Sequence, residues 1–210
     1  MTFATATFSG ILKTTTEQGN KVLAELEVET GKLPVLVEVY GKSKEAALQL
    51  AGKPVVISGK VEVVNRTFTI NADSISPAIA ETIVSQITIC GRLGTDPNIK
   101  VLGSGQTLAK VGLAVNGYRN GEKTTSWFNI TAWAKQAELI GDYQTKGSIL
   151  GVSGRLNVNE YTKKDGTTSI THEVTVTGCF FMPKSMTDSG GQSQQKTAPA
   201  ATATFEEVAF

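Results

Sequence analysis

The chain has 210 residues, 40% of them hydrophobic, which allows one large or two small domains. Its 20 basic and 19 acidic side chains leave a formal net charge of +1, so overall charge does not by itself indicate a nucleic-acid partner. Because no apolar run approaches the ~20 residues of a membrane helix and the N-terminal residues lack signal-peptide features, we expect a cytoplasmic protein without a membrane segment.

The first third of the chain consists of short alternating apolar and polar runs between Gly and Asn turns, a pattern typical of β-strands. Strands are predicted at residues 4–13, 21–30, 34–40, 53–64 and 66–72. Between the third and fourth strands, residues 43–50 read SKEAALQL, a run of helix formers. Ser43 is a capping-type residue at its start, and Gly52 closes it.

The second third repeats this order. Strands are predicted at residues 86–93, 107–116, 126–134, 148–158 and 170–179, with a short helix at 136–143. The copies match residue by residue, as in FSGIL (8–12) with ICGRL (89–93), YGK (40–42) with WAK (133–135) and SGK (58–60) with SGR (153–155). Five strands with a helix between the third and fourth form the OB-fold, a Greek-key barrel that binds oligonucleotides or oligosaccharides. We therefore predict an all-β chain of two tandem five-stranded OB-fold barrels, residues 1–80 and 84–184, the second with longer loops.

Both tryptophans of the chain lie in one predicted strand, within TSWFNITAWAK (125–135). Alternation along a strand places Trp127 and Trp133 on a face with polar residues, whereas Phe128, Ile130 and Ala132 form an apolar core face. Indole rings on a polar face are a stacking surface for nucleic-acid bases, at about 1–3 kcal/mol for each base. The alternative is that both rings face a second sheet or a subunit partner.

The charge is unevenly distributed, with 11 basic and 7 acidic residues between 85 and 184 but one basic and three acidic residues between 185 and 210. Residues 185–210 are mainly Ser, Gln, Gly, Thr and Ala without an apolar period, so we predict a disordered C-terminal tail. Its tip combines Glu206 and Glu207 with the terminal Phe210. The tip is either a frayed end or a tag whose ring and carboxylate are captured together by partner proteins.

Five segments of the second barrel resemble, in their order, the bacterial single-stranded-DNA-binding protein family. They are ICGRLGTDPNIKV (89–101), GSGQTLAKVGLAV (103–115), TSWFNITAWAKQAE (125–138), KGSILGVSGRL (146–156) and THEVTVTG (171–178). The resemblance extends weakly to the first barrel and the tail. It implies binding and protection of single-stranded DNA in replication, repair and recombination, without a cofactor. It also implies a nucleoid-associated homodimer that presents four OB-folds, and recruitment of partner proteins through the tip residues Glu206, Glu207 and Phe210.

The resemblance also implies where the DNA lies, since in this family DNA wraps over the barrels and bases stack on aromatic side chains. It places these aromatics at Trp127, Trp133, Tyr118 and Tyr161. Tyr118 and Tyr161 each lie beside cations in a predicted loop, which suits a base on the ring and a phosphate on the cation. The predicted nucleic-acid-binding residues are Tyr118, Arg119, Lys123, Trp127, Trp133, Lys135, Arg155, Tyr161, Lys163 and Lys164.

The first barrel departs from this pattern. Pro34 stands opposite Trp127, Tyr40 stands opposite Trp133, and glutamates alternate along the second strand. We expect that this barrel has lost most of its stacking surface, so that it binds DNA weakly or serves mainly in assembly. The tail tip also departs, because the family usually ends in Pro-Phe after several Asp residues.

Catalysis and an assembly role are the two alternatives to single-stranded-DNA binding. Catalysis is disfavoured, because His172 stands alone, Cys90 and Cys179 are too few for a closed zinc site, and no nucleophile or acid–base set converges. Both cysteines are expected to be buried thiols, with a disulfide as the alternative. An OB-fold assembly or accessory protein of the replication-restart machinery, with weak nucleic-acid binding, is the second function, and RNA binding is a related variant.

Overall fold

The computed structural model describes residues 2–28, 34–64, 67–79, 84–119, 121–162 and 168–181. The first half contains β1 (Phe3–Gln18), β2 (Lys21–Glu27), β3 (Val35–Tyr40), α1 (Ser43–Gln49), β4 (Pro54–Val64) and β5 (Thr67–Pro77). The second half contains β6 (Ser85–Leu93), β7 (Asn98–Val101), β8 (Thr107–Arg119), β9 (Glu122–Trp133), α2 (Ala134–Tyr143), β10 (Ile149–Thr162) and β11 (Thr168–Phe181). The predicted disordered tail, residues 185–210, lies outside the described residues.

Strands β1 to β5 close into a barrel in the order β1-β2-β3-β5-β4, and β4 returns to β1. The β3–β5 contact is parallel and the other four are antiparallel. Strands β6, β8, β9, β11 and β10 close in the same way, with β9 and β11 parallel. These are two OB-fold barrels, and the predicted fold is confirmed.

The short strand β7 was not predicted from the sequence. It pairs antiparallel with the start of β8, from Asn98 opposite Lys110 to Val101 opposite Thr107. Its four residues are all exposed, so the alternation of apolar and polar positions that identifies a half-buried strand is absent. It extends the barrel wall without adding to the core.

The sequence repeat reappears as repeated backbone geometry. The N–H of Gly52 donates to the carbonyl of Leu12 at 2.7 Å, and the N–H of Gly147 donates to the carbonyl of Leu93 at 2.9 Å. Both glycines have positive φ, +76° and +85°, which a residue with a Cβ rarely adopts. Each therefore ends the connection after its helix and returns the chain to the first strand of its own barrel.

The matched Ser-Gly pairs have a structural cause as well. The pairing shifts register between Ser58 and Gly59 in β4, and again between Ser153 and Gly154 in β10. At both glycines, an added Cβ would collide with a carbonyl of the neighbouring strand. The bulge therefore requires glycine in each copy, and it bends the strand around its barrel.

Each helix closes one end of its barrel. α1 begins at Ser43, as predicted, but Lys42 is its N-cap and no side chain caps it, so the capping role expected for Ser43 is wrong. α2 begins at Ala134, two residues before the predicted start, and buries Ala137 and Ile140 against the barrel. No helix that the structure describes is long and apolar enough to cross a membrane.

The two barrels join through their first strands. β1 pairs antiparallel with β6, from Phe3 opposite Cys90 to Phe8 opposite Ser85. Because β1 and β6 occupy the same place in their barrels, the contact has the form of an isologous interface made within one chain. The result is a single sheet that runs through both barrels.

Aromatic side chains also bridge the barrels. The Phe68 ring of β5 lies 6.4 Å from Phe8 in its own barrel and 6.4 Å from Phe128 in the second. His172 of β11 stacks on Phe68 with ring centroids 5.4 Å apart. Burial lowers the pKa of His172 below its ordinary value, so the neutral imidazole is favoured in this contact. His172 is thus a strand residue that packs at the barrel junction.

Both cysteines are thiols, and the disulfide alternative is wrong. Cys90 is buried in β6, whereas Cys179 is partly buried and its Sγ lies 2.9 Å from the Gln136 amide oxygen. Burial raises the pKa of both thiols.

Candidate nucleic-acid interface

The tryptophan strand folds with the predicted alternation. Phe128, Ile130 and Ala132 are buried in the core of the second barrel. Trp127 is 53% exposed and Trp133 is 38% exposed on the opposite face. Neither indole is covered by a second sheet within the described part of the chain, so the remaining alternative to a ligand is a separate subunit.

The edge of the Trp127 indole points at backbone that has no side chain. An added Cβ at Gly94 would lie 2.5 Å from Cζ3 and 2.7 Å from Cη2 of the ring. The Gly94 N–H donates to the Gly112 carbonyl at 3.1 Å, which fixes the loop after β6 against β8. The absence of a Cβ at Gly94 therefore leaves the space that the edge of this ring occupies, and Gly112 lies beside the same ring.

The register of β8 with β9 extends the tryptophan face along both strands. Tyr118 lies opposite Lys123, Ala114 opposite Trp127, and Leu108 opposite Trp133. Since directly paired residues share one face, Tyr118 and Lys123 lie on the tryptophan side, and so does Lys110 opposite Thr131. The platform, as we call this face, comprises Lys110, Tyr118, Lys123, Trp127 and Trp133. Tyr118, at 71% exposed, is its most open ring.

A carboxylate lies between the two tryptophans. Glu173 of β11 pairs with Asn129 in the parallel ladder, accepts a hydrogen bond from the Thr131 hydroxyl and forms an ion pair with Lys110 Nζ at 3.3 Å. Sequence reasoning missed Lys110 and Glu173. Lys110 could have been found from the sequence, because it is an even number of residues from Tyr118 in the same strand and so lies on the same face. Glu173 could not, because its place depends on the pairing of β11 with β9.

Three of the predicted cations lie outside the platform, each in a different place. Arg155 is exposed in β10 opposite Thr175, on the strand that continues the sheet beyond β11. Lys135 is exposed at the start of α2 and forms an ion pair with Glu138 at 3.6 Å. Arg119 is apart from both, because it follows Tyr118 directly and so lies on the face of β8 opposite the platform.

Arg119 contacts the first barrel instead. Its Nη2 lies 3.1 and 3.3 Å from the two carboxylate oxygens of Glu38, and its Nη1 lies 3.7 Å from Glu62 Oε2. The structure therefore brings together Tyr118, Lys123, Trp127 and Trp133 and separates Arg119 from them.

Some predicted residues have limited or no description. Tyr161 lies in β10 with its backbone opposite Ser169. Lys163, Lys164, Glu206, Glu207 and Phe210 lie outside the described residues. Among the residues that the structure describes, no three His, Cys, Asp or Glu side chains gather as metal ligands.

The chain is similar in sequence to known proteins. Residues 84–182 match the model of the single-strand binding protein family. Single-stranded DNA-binding protein 1 of Nostoc sp. is 38% identical over 81 residues, 39% of this chain and 67% of that protein. Single-stranded DNA-binding protein 1 of Staphylococcus aureus (strain COL) is 33% identical over 117 residues, 54% of this chain and 70% of that protein.

The similarity in fold extends to the first barrel as well. The crystal structure of the wild-type single-stranded DNA binding protein from Thermus aquaticus aligns with a TM-score of 0.64 at 18% identity, covering 92% of this chain and 97% of that one. A deletion mutant of the same Thermus protein aligns with a TM-score of 0.66 over 90% of this chain. With the matched segment, the curated relatives and the two-barrel fold together, this chain belongs to the single-strand binding protein family.

Proposed function

We propose that the chain is a non-enzymatic, sequence-tolerant single-stranded-DNA-binding protein whose main contact surface is the platform. The observation that carries the proposal is that Trp127, Trp133 and Tyr118 lie exposed on one face of the second barrel, with Lys110 and Lys123 between and beside them. Aromatic faces accept any base, whereas lysine ammonium groups attract the phosphate backbone. Function follows from the site rather than from the fold, which hosts many ligands.

The platform suits single strands better than duplex DNA. Bases in a duplex are already stacked and paired, so their faces are not available to the indoles. A strand laid along β8 and β9 would place its bases on the rings, and its phosphates would reach the lysines and Arg155. A base held in this way cannot pair with a second strand, and this is how binding would protect single-stranded DNA.

The wider role is proposed from the resemblance to the family. The resemblance of the second barrel and the names of the relatives favour a cytoplasmic, nucleoid-associated protein that coats strands in replication, repair and recombination. A homodimer would present four OB-folds, and Glu206, Glu207 and Phe210 would recruit partner proteins. Lys135, Tyr161, Lys163 and Lys164 would extend the binding path beyond the platform.

The alternative, an assembly or accessory protein, is favoured by one observation. The first barrel has an exposed Pro34 and a half-covered Tyr40 where the second has its two tryptophans. That barrel therefore presents one ring at these positions, Tyr40, where the second barrel presents two.

Intrinsic fluorescence tests the proposal directly, because Trp127 and Trp133 are the only tryptophans in the sequence. We expect titration with oligo(dT) to quench their emission strongly, to saturate at a fixed nucleotide-to-protein ratio and to weaken as salt rises. Absence of quenching at low salt in a folded sample would reject the platform and favour the assembly role.

A further inference from the structure

The first barrel has its own counterpart of the platform. Tyr40 matches Trp133, and the residue after each has positive φ, +59° at Gly41 and +47° at Ala134. Two residues earlier on the same face, Glu38 therefore occupies the place of Thr131. Counting from the shared bulge at Gly59 and Gly154, Glu62 on β4 occupies the place of Asn157 on β10.

Part of this face of the first barrel is covered, whereas Tyr40 stays exposed. Glu38 and Glu62 are each 7% exposed, although both project from the outside of the barrel. The cover is formed by the end of β8, residues 115–119, and the start of β9, residues 122–126, which together we call the ribbon. Arg119 of the ribbon reaches both carboxylates, and the Ser126 hydroxyl accepts a hydrogen bond from the Val63 N–H at 2.9 Å.

The contact is a closed charge network. Lys21 Nζ lies 2.9 Å from Glu38 Oε1, and the Tyr40 hydroxyl donates to Glu38 Oε2 at 2.8 Å. Lys60 Nζ lies 3.1 Å from Glu62 Oε1. Burial by itself would raise the pKa of Glu38, but the hydrogen bonds from Lys21 and Tyr40 and the charges of Arg119 and Lys21 together lower it. Glu38 is therefore ionised at neutral pH, and the guanidinium of Arg119 is one of its partners.

We propose that Arg119 is a positioning residue: it anchors the ribbon to Glu38 and Glu62 and so holds Tyr118 in place for a base. The proposal rests on the proposed function. Arg119 and Tyr118 are consecutive in β8, so one side of the ribbon is fixed to the first barrel while the other presents the ring. The first barrel thus contributes to binding by orienting the second.

The physical advantage is preorganisation. An isolated two-stranded ribbon is marginally stable in water, so its tip would have to be ordered when a strand binds. Ordering a side chain on binding costs about 0.5–1.5 kcal/mol. An anchored ribbon is ordered during folding, so the cost of ordering Tyr118 is smaller when a base stacks on its ring.

The test compares Glu38→Gln/Glu62→Gln, Arg119→Gln/Glu38→Gln/Glu62→Gln and Tyr118→Ala in the full chain, alone and combined. The glutamines keep the shape of the network while removing its charges. Binding of a labelled oligo(dT) is measured over a range of salt, with urea unfolding to establish that each variant is folded. Trp127→Ala serves as the internal standard for the platform, because it weakens binding whether or not Arg119 positions Tyr118.

If Arg119 positions Tyr118, Glu38→Gln/Glu62→Gln weakens binding about 3- to 10-fold, corresponding to one newly mobile side chain, even though it removes two negative charges. Adding Arg119→Gln then changes neither the affinity nor the salt slope, and Tyr118→Ala costs less in these backgrounds than in the wild type.

If Arg119 instead binds phosphate, removing the acids tightens binding, and adding Arg119→Gln lowers the slope by about 0.7. That second pattern overturns the proposal while leaving the proposed function intact, whereas absence of oligo(dT) binding by the wild type overturns the proposed function itself.

Discussion

The Trp127 indole rests directly on the backbone of Gly94, with no side chain between them. The glycine belongs to the loop that follows β6, and the tryptophan belongs to β9, two strands away in the barrel wall. Asp96, two residues later, accepts a hydrogen bond from the Lys146 N–H at 2.7 Å and so fixes the same loop to the connection before β10. The motif GRLGTDP (91–97) therefore forms a fixed loop against which Trp127 packs.

Gly94→Ala is expected to displace the indole, because the new Cβ would lie within 2.5 Å of the ring. Affinity for oligo(dT) should fall by up to about 1–3 kcal/mol, the contribution of one stacked base, and the tryptophan emission should change without ligand. Gly103→Ala is the matched control, since an added Cβ there meets nothing within 4 Å. Equal affinities for the two variants would show that the close approach of Trp127 to Gly94 is not required.

Trp127→Ala and Trp133→Ala should each weaken oligo(dT) binding by about 1–3 kcal/mol, because each removes one stacking surface. Binding is followed by anisotropy of a labelled oligonucleotide, since the variants lose part of the intrinsic signal. Tyr143→Ala is the control, because Tyr143 is an exposed aromatic of α2 that contacts Phe181 rather than the platform. Unchanged binding in the folded Trp127→Ala/Trp133→Ala variant would contradict the platform assignment.

Local patterns in the sequence were sufficient for the barrels and for the two indoles. Strand alternation identified Trp127 and Trp133 because a period of two assigns each residue to one face whatever the rest of the chain does. The place of Arg119 could not be found in this way. Alternation along the strand places Arg119 and Tyr118 on opposite faces. The contact of Arg119 with Glu38 depends on how the two barrels associate, which is decided by the β1–β6 pairing and the Phe68 contacts.

Glycine and alanine differ between the copies at a position with positive φ. Gly41 has φ +59° and Ala134 has φ +47°, and the left-handed region costs a residue with a Cβ about 1–2 kcal/mol. Ala134→Gly should therefore raise the free energy of unfolding by up to about 1 kcal/mol, the lower end of that cost. Gly41→Ala, the reciprocal change, should lower it. Urea unfolding measures both, and a loss of stability in Ala134→Gly would contradict the assigned strain.

Glu173 lies on the platform side and occupies Lys110 in an ion pair. Glu173→Gln should tighten oligo(dT) binding several-fold at low salt, since it removes a negative charge and leaves Lys110 for phosphate. The slope of log affinity against log salt should steepen by about 0.7, one additional phosphate contact on a single strand. Glu17→Gln, in the first barrel and paired with Lys44, is the charge-matched control and should leave binding unchanged. A weaker interaction after Glu173→Gln would indicate that the carboxylate binds a base edge instead.

The His172 contact should make folding stability depend on pH. Burial against Phe68 lowers the pKa of the folded state below the value of 6.5 that applies to the unfolded chain, so the unfolded chain binds the proton more readily. The free energy of unfolding should therefore be fully retained above pH 6.5 and fall as the pH drops below it. Glu38 does not contribute in this window, because its lowered pKa confines its effect to the range below 4.5.

His172→Phe tests this origin of the pH dependence, because it keeps a ring against Phe68 and removes the titrating group. Urea unfolding at about pH 7.5 and about pH 5, on either side of the histidine titration, should show a loss of stability in the wild type that is reduced in His172→Phe. The control is Phe68→Leu, which loosens the junction but keeps the histidine, so it should lower stability at both pH values and leave part of the pH dependence. An equal loss in the wild type and in His172→Phe would assign the pH dependence to the carboxylates instead. His172 at the junction of the two barrels would then make no contribution to the pH dependence of stability.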